Sequence, residues 1–122
     1  MGTQARDVIA EFWRLQDTHD YTKTVELFAD DADFHDPVYG SMKGREAIGA
    51  FMQKMTEVMR ANSITFSLLE LEGEDEVVWA RWVAHTPAGD KHGCGLYKVR
   101  DGKLTYYRDY MNGAESSTIK TA

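Results

Sequence analysis

Between Arg6 and Gln16 the apolar residues Val8, Ile9, Phe12, Trp13 and Leu15 recur at helical spacing, with Arg6, Asp7, Glu11 and Arg14 between them. The pattern predicts an amphipathic first helix. The polar stretch Asp17 to Asp20 interrupts it, and a shorter helix from about Tyr21 to Phe28 turns Val25, Leu27 and Phe28 inward before Asp30 and Asp31, which read as a solvated turn. A short strand, Asp33 to Asp36, precedes Pro37-Val38-Tyr39-Gly40. Ser41 to Gly44 then reads as a loop leading into the longest helix, Arg45 to Met59, with Ile48, Phe51, Met52, Met55, Val58 and Met59 on one broad stripe. Methionine suits both an adaptable core and a lid over an irregular ligand.

Beyond Asn62 the helical period gives way to strands. Ile64 to Leu71 and Val77 to His85 flank the acidic tip Glu72 to Glu76, a hairpin turn that lacks the spaced oxygen ligands of a calcium loop. After a break at Thr86 to Asp90, a strand runs from Lys91 to Arg100, and Asp101-Gly102 turns it into a last one, Lys103 to Asn112. Helices followed by antiparallel strands predict an α+β fold, a curved sheet wrapped around a helix layer.

The length of 122 residues fits a single domain with one core and one ligand-sized cavity, ordered over about 6–112 with a small polar tail, 113–122, that carries no assigned role. Lys and Arg total 14 against 20 Asp and Glu, a net charge of -6, and no basic run stands ready for phosphates. Nucleic acid is not an expected partner. No stretch approaches the roughly 18 apolar residues of a membrane span, and the N-terminus has no secretion signal. A soluble, cytoplasmic protein without a membrane partner is expected. Cys94 is the single cysteine, and there is neither paired Cys or His ligand spacing nor a Gly-rich phosphate loop, so neither a metal nor a cofactor is expected.

Two aspartates carry the candidate chemistry. In Leu27 to Gly40, LFADDADFHDPVYG, strand alternation sets Phe34 and Asp36 on one face and Asp33 and His35 on the other. If the Phe34 face is buried, Asp36 goes with it and its pKa rises, which suits proton transfer; the competing reading is a turn cap before Pro37. In the last strand, KLTYYRDYMN, Thr105, Tyr107, Asp109 and Met111 share a face, with Leu104, Tyr106, Arg108 and Tyr110 on the other. Aspartate is depleted in strands, and this one is bracketed by aromatics. Its alternative is an exposed aspartate paired with Arg108 or a cross-strand lysine.

LFADDADFHDPVYG, the helix start KGREAI and GLYKVRDGKLTYYRDYMN together resemble the nuclear-transport-factor-2-like superfamily, over Val8 to about Asn112. This superfamily includes ketosteroid isomerase, limonene epoxide hydrolase and the SnoaL-like polyketide cyclases. The resemblance implies a cone, a curved and mostly antiparallel sheet around three N-terminal helices enclosing a pocket. It sets Asp36 at the isomerase's general-base position and at the hydrolase's water-holding asparagine, with Phe34 at a water-binding tyrosine. Asp109 matches the catalytic aspartate of the hydrolase, and the cyclases place an acid/base aspartate there too. The departures are equally specific. Phe12 and Gly95 replace the isomerase's oxyanion-hole residues, while Arg81 can supply the hydrolase's arginine but Val83 replaces its second aspartate.

Two carboxylates in one apolar cavity compete for a proton, which leaves an acid and a base facing one substrate. The expected function is therefore a cofactor-independent enzyme of epoxide hydrolase, isomerase or cyclase type acting on a small apolar molecule. Asp109 is the principal acid/base, Asp36 its partner and Arg81 the third catalytic candidate. The match to the hydrolase favours an inward Arg81, sharing a face with Trp79, Val83 and His85; the alternative turns Trp82 inward. Phe12, Phe34, Tyr39, Met55, Trp79, Val83, His85, Gly95, Tyr107 and Met111 are the substrate-binding candidates, and His35 points away. The alternative function is a non-catalytic ligand-binding or interaction protein of the same fold. The resemblance also implies a homodimer through the sheet face, with Trp82, Tyr106 and Tyr110 as interface residues.

Overall fold

The computed structural model describes residues 4–111. In chain order it contains α1 (Gln4–Gln16), a 3₁₀ helix (Tyr21–Leu27), β1 (Phe28–Asp36), β2 (Gly40–Lys43), α2 (Arg45–Ala61), β3 (Thr65–Glu74), β4 (Val77–Thr86), β5 (Gly89–Arg100) and β6 (Lys103–Met111). Three helical elements in the first half and long strands in the second make it the α+β fold that the patterning predicts. The end of the last strand at Asn112 and the tail 113–122 lie outside the described residues.

The six strands form one open sheet in the order β2-β1-β6-β5-β4-β3. Every neighbouring pair is antiparallel except β1 and β6, which run parallel. That one parallel junction brings the two candidate aspartates together. His35 pairs with Arg108, so the next step of the same register places Asp36 beside Asp109.

Local differences from the pattern have physical causes. Asp30 and Asp31 belong to β1 rather than to a turn; the pairing of β1 with β6 shifts register between Phe28 and Asp33, and both acids stay exposed there. Ser41 to Lys43, read as loop, forms the edge strand β2, whose polar residues face water and give no periodic signal. Gly44 follows at φ 92, a conformation that favours glycine, and its carbonyl starts α2 by accepting from Ile48 N. A register shift at Lys98/Val99 leaves Thr105 as an extra residue, so Leu104 turns inward with Tyr107 rather than outward with Tyr106.

Ala5, Ile9, Phe12 and Trp13 of α1 and Ile48, Met52 and Met55 of α2 pack on the inner sheet face in one core cluster with Phe28, Phe34, Val78, Ala80, Trp82, Tyr97, Val99, Leu104 and Tyr107. None of the described helices is long and apolar enough to cross a membrane.

Candidate active site

Inside the cone, the helices and the inner sheet face enclose a cavity of about 100 Å³. Both carboxylates line it. Phe34 and Tyr107 stand in register on β1 and β6, and their rings stack at 4.4 Å with planes 3° apart. Asp36 and Asp109 each follow two residues later on the same inner faces, so the aromatic pair forms a dry floor beside them.

Asp109 is enclosed by three aromatic donors. Trp82 Nε1 donates to Oδ1 at 3.1 Å, Tyr97 Oη donates to the same oxygen at 2.6 Å, and Tyr107 Oη reaches Oδ2 at 2.5 Å. Burial raises its pKa to about 7; the hydrogen bonds from Tyr107, Tyr97 and Trp82 pull it down, and the nearby Asp36 charge adds to the rise. Although the protein surrounds this carboxyl densely, Asp109 keeps some accessible surface as part of the cavity wall. A carboxylate offers about four lone-pair positions, so three donors leave room for one more partner. Tyr97 and Tyr107 are themselves raised well above the usual phenol range, by burial first and then by the Asp109 charge, so they stay protonated.

The glycines of β5 make this arrangement possible. A Cβ at Gly95 would collide with Tyr97 Oη and Asp109 Oδ1, and one at Gly93 would collide with the Trp82 ring. Gly95 therefore borders the site from behind by leaving space for the hydrogen bonds.

Asp36 is held differently. Its Oδ2 accepts from the backbone amides of Val38 and Tyr39, both at 2.9 Å, while Pro37, which has no amide hydrogen, lies between Asp36 and those donors. It is a turn cap and a cavity carboxylate at once. Burial raises its pKa, opposed by those two amides.

Phe12, Phe34, Tyr39, Met55, Tyr107 and Met111 line the cavity together with Asp36 and Asp109. Five other candidates do not, of which Gly95 stands behind the site as described. Arg81 points out of the sheet, where its Nε donates to Glu70 Oε1 at 2.7 Å, and Trp79 beside it is 42% exposed. Trp82 takes the inward position instead. Val78, Ala80 and Trp82 alternate into the core, the indole has space opposite Gly93, and a guanidinium on that face would lose water without gaining the Glu70 pair. Trp82 is consequently not an interface residue. Val83 is buried but does not border the cavity.

His85 lies outside as well, with Nε2 2.9 Å from Ser67 Oγ and Nδ1 3.0 Å from Asp90 Oδ1. This chain of contacts is solvent-exposed, away from the desolvated setting in which such a relay gains strength. His35 faces the outer side, against Ser41 and Tyr106.

Sequence reasoning did not name Trp13, Gln16, Tyr21, Pro37, Val38, Phe51 and Phe66 in the lining, or Tyr97 behind it; Met52 and Met59 entered only with the methionine stripe read as core and lid, and Trp82 only as the alternative to Arg81. Tyr97 was within reach, since it stands two residues beyond Gly95 on the same strand face. Among the described residues no cluster of three His, Cys, Asp or Glu side chains is arranged to hold a metal ion.

A helix layer under a curved open sheet, with a cavity between them, is the architecture of the NTF2-like proteins. Residues 9–107 match the model of the SnoaL-like domain, and the chain belongs to that family. An NTF2-like protein of unknown function from Mesorhizobium loti is 21% identical, with a TM-score of 0.78 over 92% of this chain and 93% of that one. A protein from Kribbella flavida DSM 17836, provisionally named a ketosteroid isomerase, is 14% identical with a TM-score of 0.77, covering 90% of this chain and 78% of the other. The epoxide hydrolase/cyclase-like enzyme SalBIII, with a role in pyran ring formation in the polyether salinomycin, is 20% identical with a TM-score of 0.71 over 91% and 92% of the two chains. At these identities the likeness is one of fold. No curated protein matches the chain in sequence.

Proposed function

We propose that the protein is a cofactor-independent acid/base enzyme that acts on a small, largely apolar molecule in the cavity, with Asp109 as the acid and Asp36 as the base. The observation that carries this reading is a carboxyl enclosed by three aromatic donors, which burial pushes up to about 7, beside a second carboxylate in the same hollow. Oδ1 of Asp109 already receives Trp82 and Tyr97, so the proton belongs on Oδ2, next to Tyr107. Asp36 Oδ2 is occupied by backbone amides, which leaves Oδ1 to accept a proton.

In epoxide opening, water gives a proton to Asp36 as its oxygen bonds to carbon. The carbon–oxygen bond of the ring breaks, and Asp109 protonates the leaving oxygen. If the substrate's own hydroxyl replaces water, the same movement closes a ring. If Asp36 takes a proton next to a carbonyl, Asp109 protonates the carbonyl oxygen as negative charge builds on it, and the product of the step is the neutral enol. The lining has no Lys or Arg among the described residues, which fits a neutral substrate, and the fold likeness to an epoxide hydrolase/cyclase-like enzyme supports the first two forms.

Replacing Asp109 by Asn keeps shape and removes titration. Turnover of a panel of small epoxides and of enolisable cyclic ketones by wild type, lost in Asp109→Asn, supports the proposal; turnover unchanged by that substitution contradicts it. The second reading, a binding protein without chemistry, draws on the outward position of Arg81, which removes the arginine of the hydrolase pattern. It predicts unchanged ligand affinity in the same variant and no turnover in either protein. A homodimer through the outer sheet face belongs to both readings, supported by the exposed Val77, Trp79 and Tyr110 there and tested by light scattering.

A further inference from the structure

The cavity wall built by α1 and the 3₁₀ helix carries three polar side chains that the acid/base reading does not use. Trp13, Gln16 and Tyr21 line the cavity at 6%, 8% and 7% exposure. Trp13 Nε1 is fully buried without a hydrogen-bond partner. Nor do the Gln16 amide and the Tyr21 hydroxyl have a side-chain hydrogen bond among the described residues. Folded proteins rarely leave a buried donor unpaired, and Trp13 Nε1 is one. The Gln16 amide and the Tyr21 hydroxyl, which keep some accessible surface, add two unpaired groups to the same wall, and together the three point to a ligand group that pairs with them. Gln16 is telling in sequence terms. It occupies the position four residues after Phe12 on the buried stripe of α1, where an apolar side chain would be the default.

The chemistry of these groups selects the partner. An indole can only donate, so the group it meets is an acceptor. Burial raises the Tyr21 pKa to about 12, which keeps its hydroxyl a donor at neutral pH. Among the described residues neither Lys nor Arg lines the cavity, so an anionic group would enter without a counter-charge from them.

We propose that Trp13, Gln16 and Tyr21 bind an uncharged oxygen of the substrate, a carbonyl or a hydroxyl, and that the substrate is a small neutral molecule with two oxygen functions. One oxygen meets Asp109 and Asp36, and the other meets this wall. The assignment of the first oxygen rests on the acid/base reading; the second stands on the unpaired donors alone. Trp13 and Trp82, one from each side, hold their rings 6.0 Å apart, so a molecule of one ring is a suitable probe.

The three tryptophans allow each point to be observed separately. Indole N–H resonances are followed by NMR during titration with 4-hydroxycyclohexanone, which has two oxygens, and with cyclohexanone, which has one. Trp82 reports the carboxylate side and Trp13 the opposite wall, while the exposed Trp79 on the outer face is the internal reference. The proposal predicts that the two-oxygen probe moves both Trp82 and Trp13 and binds about fivefold tighter, the worth of one hydrogen bond. Cyclohexanone moves Trp82 alone. Gln16→Leu removes the preference, and so does Tyr21→Phe, which retains the ring packed on Phe66. A Trp13 resonance that stays fixed with both probes, as it would if a resident water already satisfied it, overturns the proposal, as do equal affinities. If Trp82 still moves, the acid/base reading survives that failure; if neither moves, both fall.

Discussion

Asp36 and Asp109 stand beside each other on parallel strands and line the same hollow, yet they are held by different kinds of donor. Two backbone amides hold Asp36, and amides can only donate, so this carboxyl is held as an acceptor. Asp109 is held by an indole and two phenols, and a phenol can accept as well as donate. A proton on Asp109 therefore finds a partner in Tyr107, whereas a proton on Asp36 Oδ2 would face two donors. Desolvation raises both groups, but the one whose surroundings tolerate a proton is the natural acid. Neighbouring carboxyls can thus divide into acid and base through the type of donor each receives.

The largest effect that bears on this division is on turnover. Asp109→Asn should lower kcat by about 10²–10⁴, the usual worth of a general acid, while steady-state ligand affinity stays within a few-fold of wild type. Should Asp36→Asn abolish turnover and Asp109→Asn leave it intact, Asp109 has no part in the chemistry and the division fails.

Next comes stability. Because the folded protein holds the Asp109 proton up to about pH 7 and the unfolded chain releases it near 3.8, the folded state binds more protons in that window. Stability contributed by this group is fully present below about pH 4 and is lost as pH rises through 7, by at most ~4 kcal/mol at 1.36 kcal/mol per unit. Denaturant titrations of wild type and Asp109→Asn between pH 4 and 8 should show that component of the slope in wild type only. Parallel curves would break the comparison.

A smaller change tests the donors one at a time. Tyr97→Phe or Tyr107→Phe removes a hydrogen bond that favours the charged carboxylate, so the Asp109 pKa should rise further, on the order of one unit. The limb of the pH-activity profile that reports it should move to higher pH. A downward shift would mean that the phenols act by raising, not lowering, this pKa.

The smallest effect belongs to Arg81. Its pair with Glu70 is half-exposed, so Arg81→Ala should cost within about 1 kcal/mol of stability and leave turnover near wild type. A large loss of turnover would restore the arginine to the site.

The contrast between Arg81 and Trp82 also marks where the amino-acid sequence stops being legible. Both face sets of β4 carry apolar residues, Val78, Ala80, Trp82 and Ala84 on one and Val77, Trp79 and Val83 on the other, so alternation alone leaves the inward face undecided. What decides it is Gly93, placed opposite Trp82 by a strand register that no local pattern encodes. The helices, the long strands and the inward turn of Asp36 with Phe34 were legible because each depends on residues close in the chain. The meeting of Asp36 with Asp109 was not, since it follows from the parallel junction of the first strand with the last. Leu104 was misplaced for a related reason, because one extra residue at Thr105 reverses the alternation beyond it.

The direct test is the titration of the Asp109 carboxyl itself, followed by carbon-13 NMR on protein labelled at the aspartate carboxyl carbon and assigned by the signal missing from Asp109→Asn. A midpoint near 7 is the expected result. A midpoint near 4, the value of an aspartate in water, would mean that the hollow does not withhold solvent from this group and would remove the acid on which the proposed chemistry depends.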